Sequence, residues 1–190
     1  MKKILLMLFS VISFAVGAAS VAEDEYLAAA EKGDANAQFR LGVCYYYGDG
    51  VAQDFKQAVY WYRKAADQGH AKAQLDLGLC YHAGDGVAKD LKQAVYWYRK
   101  AADQGDAGAQ FLLGLCYYNG YGVAKDLAQA VYWWRKAADQ GHAQAQYNLG
   151  VCYEKGYVVG KDLKQAVYWW RKAADQGDED AQKTLKDLGY

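Results

Sequence analysis

Residues 129–142 read QAVYWWRKAADQGH. A tyrosine, two tryptophans, an arginine and a lysine fill five consecutive positions, 132–136. Aromatic rings beside cations can mark nucleic-acid or carbohydrate contact. They can equally be the buried seam and wet face of one amphipathic helix. Helical periodicity separates the two readings: Ala130, Trp133, Trp134 and Ala137 share one face, while Tyr132, Lys136 and Asp139 point the opposite way. The same arrangement recurs at Trp61-Tyr62, Trp97-Tyr98 and Trp169-Trp170. A packing requirement repeats in every unit, whereas a ligand site needs its groups once. The tryptophans are therefore expected in a helix–helix seam, with alanines beside them allowing close approach. Arg135 and its equivalents flank the seam, placed to lie across aromatic rings or bond a neighbouring loop.

The cysteines expose the period. Cys44, Cys80, Cys116 and Cys152 are 36 residues apart, and Gly33, Gly69, Gly105, Gly141 and Gly177 keep the same step. A fixed period of this size signals stacked supersecondary units. Four units run 34–69, 70–105, 106–141 and 142–177. Residues 25–33 and 178–190 resemble the last and first thirds of a unit, and 23–33 and 178–190 are expected as capping helices. Each unit reads as two helices. In the first, Ala37, Leu41, Cys44 and Tyr45 form one apolar stripe, and Gly48 can take the left-handed conformation that ends a helix. The second begins behind Asp54, a good N-cap, and stops at Gly69. Asp34, His70, Asp106, His142 and Asp178 then cap the first helix of each successive unit.

Residues 1–22, MKKILLMLFSVISFAVGAASVA, form a separate segment. Lys2 and Lys3 precede an apolar run, and small residues follow, which fits a secretory signal cut after Ala22, or alternatively after Ala18 or Ala19. The run is short for a membrane span; a retained anchor is the alternative. The mature chain is thus expected to be exported, periplasmic or secreted, without membrane insertion. The formal net charge is zero and proline is absent. Neither a basic field for nucleic acid nor an acidic tail is present.

The unit A-x-A-Q-x-x-L-G-x-C-Y-x-x-G-x-G-V-A-x-D-x-x-Q-A-V-Y-W-Y-R-K-A-A-D-Q-G closely resembles the Sel1-like repeat, a relative of the tetratricopeptide repeat. The resemblance implies an all-α, right-handed α-solenoid of antiparallel helix pairs that binds partner proteins or peptides. Alanine or glycine (Ala52, Ala88, Ala124, Gly160) stands where the family often has proline. The fourth connector, Gly156-Tyr157-Val158-Val159, has valine for its second glycine, and Lys186 replaces Gly42, Gly78, Gly114 and Gly150 in the terminal partial unit.

Candidate chemistry is sparse. Cysteine-rich exported relatives imply β-lactam binding or hydrolysis as an alternative, and other relatives imply a periplasmic, immunity-type inhibitor of a toxic effector. All three serines, Ser10, Ser13 and Ser20, lie in the signal segment, so a serine acyl-enzyme has no nucleophile after cleavage. Thr184 sits in the terminal cap. His70, His82 and His142 show no metal-ligand spacing, and Gly-Asp-Gly-Val-Ala lacks the alternating acids of a calcium loop. No catalytic residue, metal or cofactor is assigned. The cysteines hold equivalent places in helices about 8–10 Å apart, beyond the roughly 7 Å reach of a disulfide. Four buried reduced thiols are expected.

Variation between units locates where packing does not bind the sequence. The first helices differ most along one stripe: Asn36, Arg40, Val43, Tyr47; Lys72, Asp76, Leu79, Ala83; Gly108, Leu112, Leu115, Asn119; and Gln144, Asn148, Val151, Lys155. The resemblance implies that first helices line the concave groove, making this stripe the expected partner-facing surface. Its alternative is an ordinary solvated face that drifts. The apolar middle, Val43, Leu79, Leu115 and Val151, favours contact. Tyr60, Tyr96, Tyr132 and Tyr168 form a second ladder, read first as packing or duplication history. The protein is expected to act as a monomer with a protein or peptide partner.

Overall fold

The computed structural model describes residues 26–190, so the expected export signal lies outside the described residues. Every regular element described is a helix: α1 (26–31), α2 (Ala35–Tyr47), α3 (Phe55–Asp67), α4 (Ala71–Ala83), α5 (Leu91–Asp103), α6 (Ala107–Asn119), α7 (Leu127–Asp139), α8 (Ala143–Lys155), α9 (Leu163–Ala174) and α10 (Glu179–Asp187). The chain divides into two compact units, the first ending at Lys89 and the second running from Asp90 to Tyr190. In the first, α2 packs on α3 and α3 on α4; in the second, α6 packs on α7, α8 on α9, and α5, α7 and α9 each on the helix that follows.

Both ends of each hairpin are set by side chains. Asp54, Asp90, Asp126 and Asp162 cap the second helices, Asp54 accepting from the Lys56 and Gln57 amides at 2.9 and 3.1 Å. The first helices are capped by Asp34, Asp106 and Asp178 through a carboxylate oxygen and by His70 and His142 through Nδ1. The connector returns onto its own first helix, where the Asp54 amide donates to the Tyr45 carbonyl at 2.9 Å.

The seam forms as its spacing predicts. Ala130 and Ala137 are wholly buried, Trp133 and Trp134 almost so, and Tyr132 is about half exposed. A glycine on the first helix makes room for the facing ring. A Cβ at Gly42 would lie 2.6 Å from Tyr62, and one at Gly114 or Gly150 would lie 2.5 Å from Trp134 or Trp170. Lys186, at the equivalent place in α10, is exposed instead. The seam carries a polar cost: Trp170 donates its indole N–H to the Tyr147 carbonyl at 3.2 Å, but the Trp133 and Trp134 indoles have no acceptor among the described residues.

Two further ladders bind successive hairpins within each unit. Gln38 is buried and donates to the Ala30 carbonyl at 2.9 Å, repeated by Gln110 to Ala102 and Gln146 to Ala138 at 3.1 Å. The exposed Gln68, Gln140 and Gln176 each donate to the buried glutamine of their own hairpin, tying its second helix to its first. Burying an amide is tolerable only when it is bonded on all sides, which fixes register. On the other flank Arg63, Arg99 and Arg135 each bond the hydroxyl of a tyrosine in the next first helix, Tyr81, Tyr117 and Tyr153, with the guanidinium carbon 5.5–5.6 Å from the ring centre. Arg171 lies 5.4 Å from the centre of Tyr190 in the same way.

None of the four cysteines forms a disulfide. Three are buried as expected; Cys44 is only half buried, because it faces an open hollow described below. Burial pushes the Cys80 thiol up to about 12 and those of Cys116 and Cys152 to about 11, so they stay protonated and unreactive at neutral pH. In the fourth connector Val158 keeps a left-handed φ of 63°, with its side chain 59% exposed. The glycine at this place in the earlier connectors permits a closer approach: a Cβ at Gly86 would lie 2.2 Å from the Phe55 carbonyl oxygen.

Candidate functional site

The variable stripe of the first helices stays accessible in both units. Arg40, Tyr47, Leu79, Asn119 and Lys155 are exposed, and Val43, Asp76, Leu112, Leu115, Asn148 and Val151 are half buried. Tyr47 and Leu79, at 72% and 41% exposure, are the large apolar side chains presented most openly on this face.

In the first unit the stripes of α2 and α4 line two hollows. One, of about 660 Å³, is bordered by Asn36, Arg40, Val43 and Lys72 from the stripe, and by Tyr26, Asp49 and His70. A second, of about 70 Å³, lies among Tyr46, Tyr47, Tyr62, Asp76 and Leu79. In the second unit α6 and α8 border a hollow of about 310 Å³ lined by Leu115, Asn119, Asn148 and Val151, with Tyr118, Tyr147 and Tyr157 around them. The units thus differ in chemistry. The large hollow of the first is rimmed by cations, and that of the second by aromatic rings and amides. Leu112 and Lys155 lie outside these three hollows, and Lys155 pairs with Glu154 at 3.3 Å.

The apolar middle of the stripe has two surroundings at once in the second unit. Leu115 and Val151 border the hollow there, and each also packs, half buried, on a core, Leu115 on that around Ala130 and Leu149 and Val151 on that around Val167 and Trp170. Sequence reasoning misses Tyr26 and Tyr157, which sit in a cap and a connector, away from the helical stripe that periodicity reveals.

Histidine 70 shows how the rim is ordered. Its Nδ1 accepts from the Ala73 amide at 3.1 Å, so Nε2 carries the proton and donates to Asn36 Oδ1 at 3.2 Å. Phe39 stacks on the ring at 4.7 Å between centres. Burial holds the His70 and His142 pKa values below the ordinary histidine range, favouring the neutral form that capping needs. Among the described residues, no group of three or more His, Cys, Asp or Glu side chains could hold a metal ion. No helix among them is long and apolar enough to cross a membrane.

A family model described as Sel1 repeat matches four successive segments, 35–70, 71–106, 107–142 and 143–178. The chain belongs to the Sel1 repeat family. Its fold is accordingly an all-α solenoid class built from helix-turn-helix repeats. Among solved structures it is similar to c5321, a protective antigen of uropathogenic Escherichia coli displaying an SLR fold, at 42% identity and a TM-score of 0.83. That match covers 86% of this chain and 35% of the antigen. A Sel1 repeat protein from Oxalobacter formigenes matches at 42% identity and a TM-score of 0.79, over 87% of this chain and 66% of the other. The immunity protein Pa5087 from Pseudomonas aeruginosa matches at 28% identity and a TM-score of 0.53, over 84% of this chain and 59% of its own. This chain therefore spans about a third of the first relative and just under two thirds of the second. A search of curated proteins finds no match.

Proposed function

We propose that this Sel1 repeat protein is a non-catalytic scaffold that recognises a partner protein or peptide through the accessible stripe of its first helices. The supporting observation is the division of labour within each hairpin. Second helices spend their tryptophans and alanines on the seam, while the first helices present varied side chains around open hollows. The signal-like residues 1–22 support action outside the cytoplasm, in the periplasm or beyond. A β-lactam-directed activity has less support, since no serine occurs after Ser20 and no paired cysteines occur within a repeat.

A second reading, inhibition of a toxic effector, is favoured by the likeness to the Pseudomonas immunity protein. Both readings use the same face and differ in the partner's identity. Affinity capture with the wild type and with Arg40→Glu/Leu79→Asp/Asn119→Asp tests the face itself. These positions are exposed, so the variant should fold as the wild type does. Loss of specific partners from the variant supports the reading, and equal recovery of every partner removes it.

A further inference from the structure

Resting on the reading above, we infer that the α2/α4 face of the first unit selects an extended peptide bearing one carboxylate and a large apolar side chain about three residues from it. The larger hollow is rich in donors. Arg40 and Lys72 border it, and neither has an ion-pair partner among the described residues. Tyr26 backs the Arg40 guanidinium, 5.9 Å from ring centre to carbon, which limits the side chain's wandering before a ligand arrives. Asn36 has its amide oxygen committed to His70, so its NH₂ group is left as a donor on the same rim. Two cations and an amide donor around one recess suit a carboxylate.

The recess does not suit an acidic run. Asp49 lies on its border and Asp76 lines the neighbouring hollow, so a second or third acid would meet like charge. Further along the same face, Tyr47 and Leu79 offer exposed apolar surface beside that smaller hollow. Arg40 and Tyr47 are seven residues apart on one helix, about 10 Å along its axis. An extended chain covers that in about three residues. One acid and one large apolar residue at this separation therefore reach both features together.

The test is an NMR titration of the ¹⁵N-labelled protein from Glu23 onward with three blocked peptides, Ac-GSEGSLGS-NH₂ and the same peptide with Gln for Glu or Ser for Leu. The Glu/Leu peptide is expected to move the amide signals of residues 36–47 and 72–79, and each replacement should weaken it about tenfold. Arg40→Glu/Lys72→Glu should abolish the preference for Glu over Gln, while Lys92→Glu/Lys164→Glu, an equal change of charge at exposed second-helix positions of the second unit, leaves it intact. The inference is overturned if the Gln peptide binds as well as the Glu peptide. It is also overturned if the shifts map elsewhere or are absent at millimolar peptide, or if Lys92→Glu/Lys164→Glu acts like the reversal at Arg40 and Lys72. Failure here alongside loss of partners in the capture experiment would reject this selectivity and leave the interaction face standing.

Discussion

The two helices of each repeat have been shaped by different demands. Second helices are almost copies of one another, from FKQAVYWYRKAAD to LKQAVYWWRKAA, and bury the same alanine, valine and aromatic positions, save that Ala174 of α9 is only half buried. First helices keep a buried Ala-Gln…Leu-Gly framework and vary on the opposite stripe, where Arg40, Asp76, Leu112 and Asn148 are equivalent in position yet unlike in chemistry. Uniformity marks where a ring must meet a glycine; variety marks where the packing of the hairpins does not dictate the side chain. The difference can be broken or sharpened by substitution, taken here from the largest effect downward.

Trp134→Ala removes the ring that fills the α6/α7 seam and should cost about 3–5 kcal/mol in urea unfolding. A loss below about 1 kcal/mol would deny the seam its role. Gly114→Ala attacks the same contact from the other helix. Its Cβ falls 2.5 Å from the Trp134 ring, so a loss of about 1–3 kcal/mol is expected from overpacking. Alanine is otherwise the better helix former, so a gain would show that the ring yields freely. Val158→Gly should go the opposite way, raising stability by about 1 kcal/mol as the left-handed strain is relieved.

The capping residues supply a pH contrast within otherwise equivalent positions. Neutral His70 and His142 accept a backbone N–H through Nδ1, which protonation destroys. Their folded pKa values are lowered, so the unfolded chain takes up protons first. Stability from these caps is fully present above the ordinary histidine value near 6.5 and is lost as pH falls through the lowered folded values. His70→Asp/His142→Asp, matching the aspartates that cap α2, α6 and α10, should flatten the profile of unfolding free energy between pH 7 and 5. An unchanged slope would contradict the assignment.

Much of this was legible before any coordinates. The 36-residue step, the seam, the aspartate caps and the glycine terminators all follow from residue type and spacing, because each is a local demand repeated in register. The Arg63–Tyr81 type of bridge was half legible: the arginine's position beside the seam could be read, but its partner lies 18 residues on, in another helix. The glutamine ladder was not read at all. A polar residue beside Ala37 looks solvated until the Ala30 carbonyl is found opposite it, although its return at Gln74, Gln110 and Gln146 was a usable signal. The hollows were least legible, since Tyr26 and Tyr157 enter them from segments outside the helical pattern. Leu115 shows the converse limit, an apolar side chain whose half-buried packing no one-dimensional stripe can reveal.

The most direct check of the account is the urea unfolding free energy of Arg40→Ala/Tyr47→Ala/Leu79→Ala/Asn119→Ala measured beside that of Trp134→Ala. If the stripe is held for recognition and the seam for folding, the fourfold variant loses under about 1 kcal/mol in total, while the single tryptophan variant loses several-fold more. A fourfold variant as destabilised as Trp134→Ala would show that the stripe is part of the scaffold, and the assignment of an interaction face would fall.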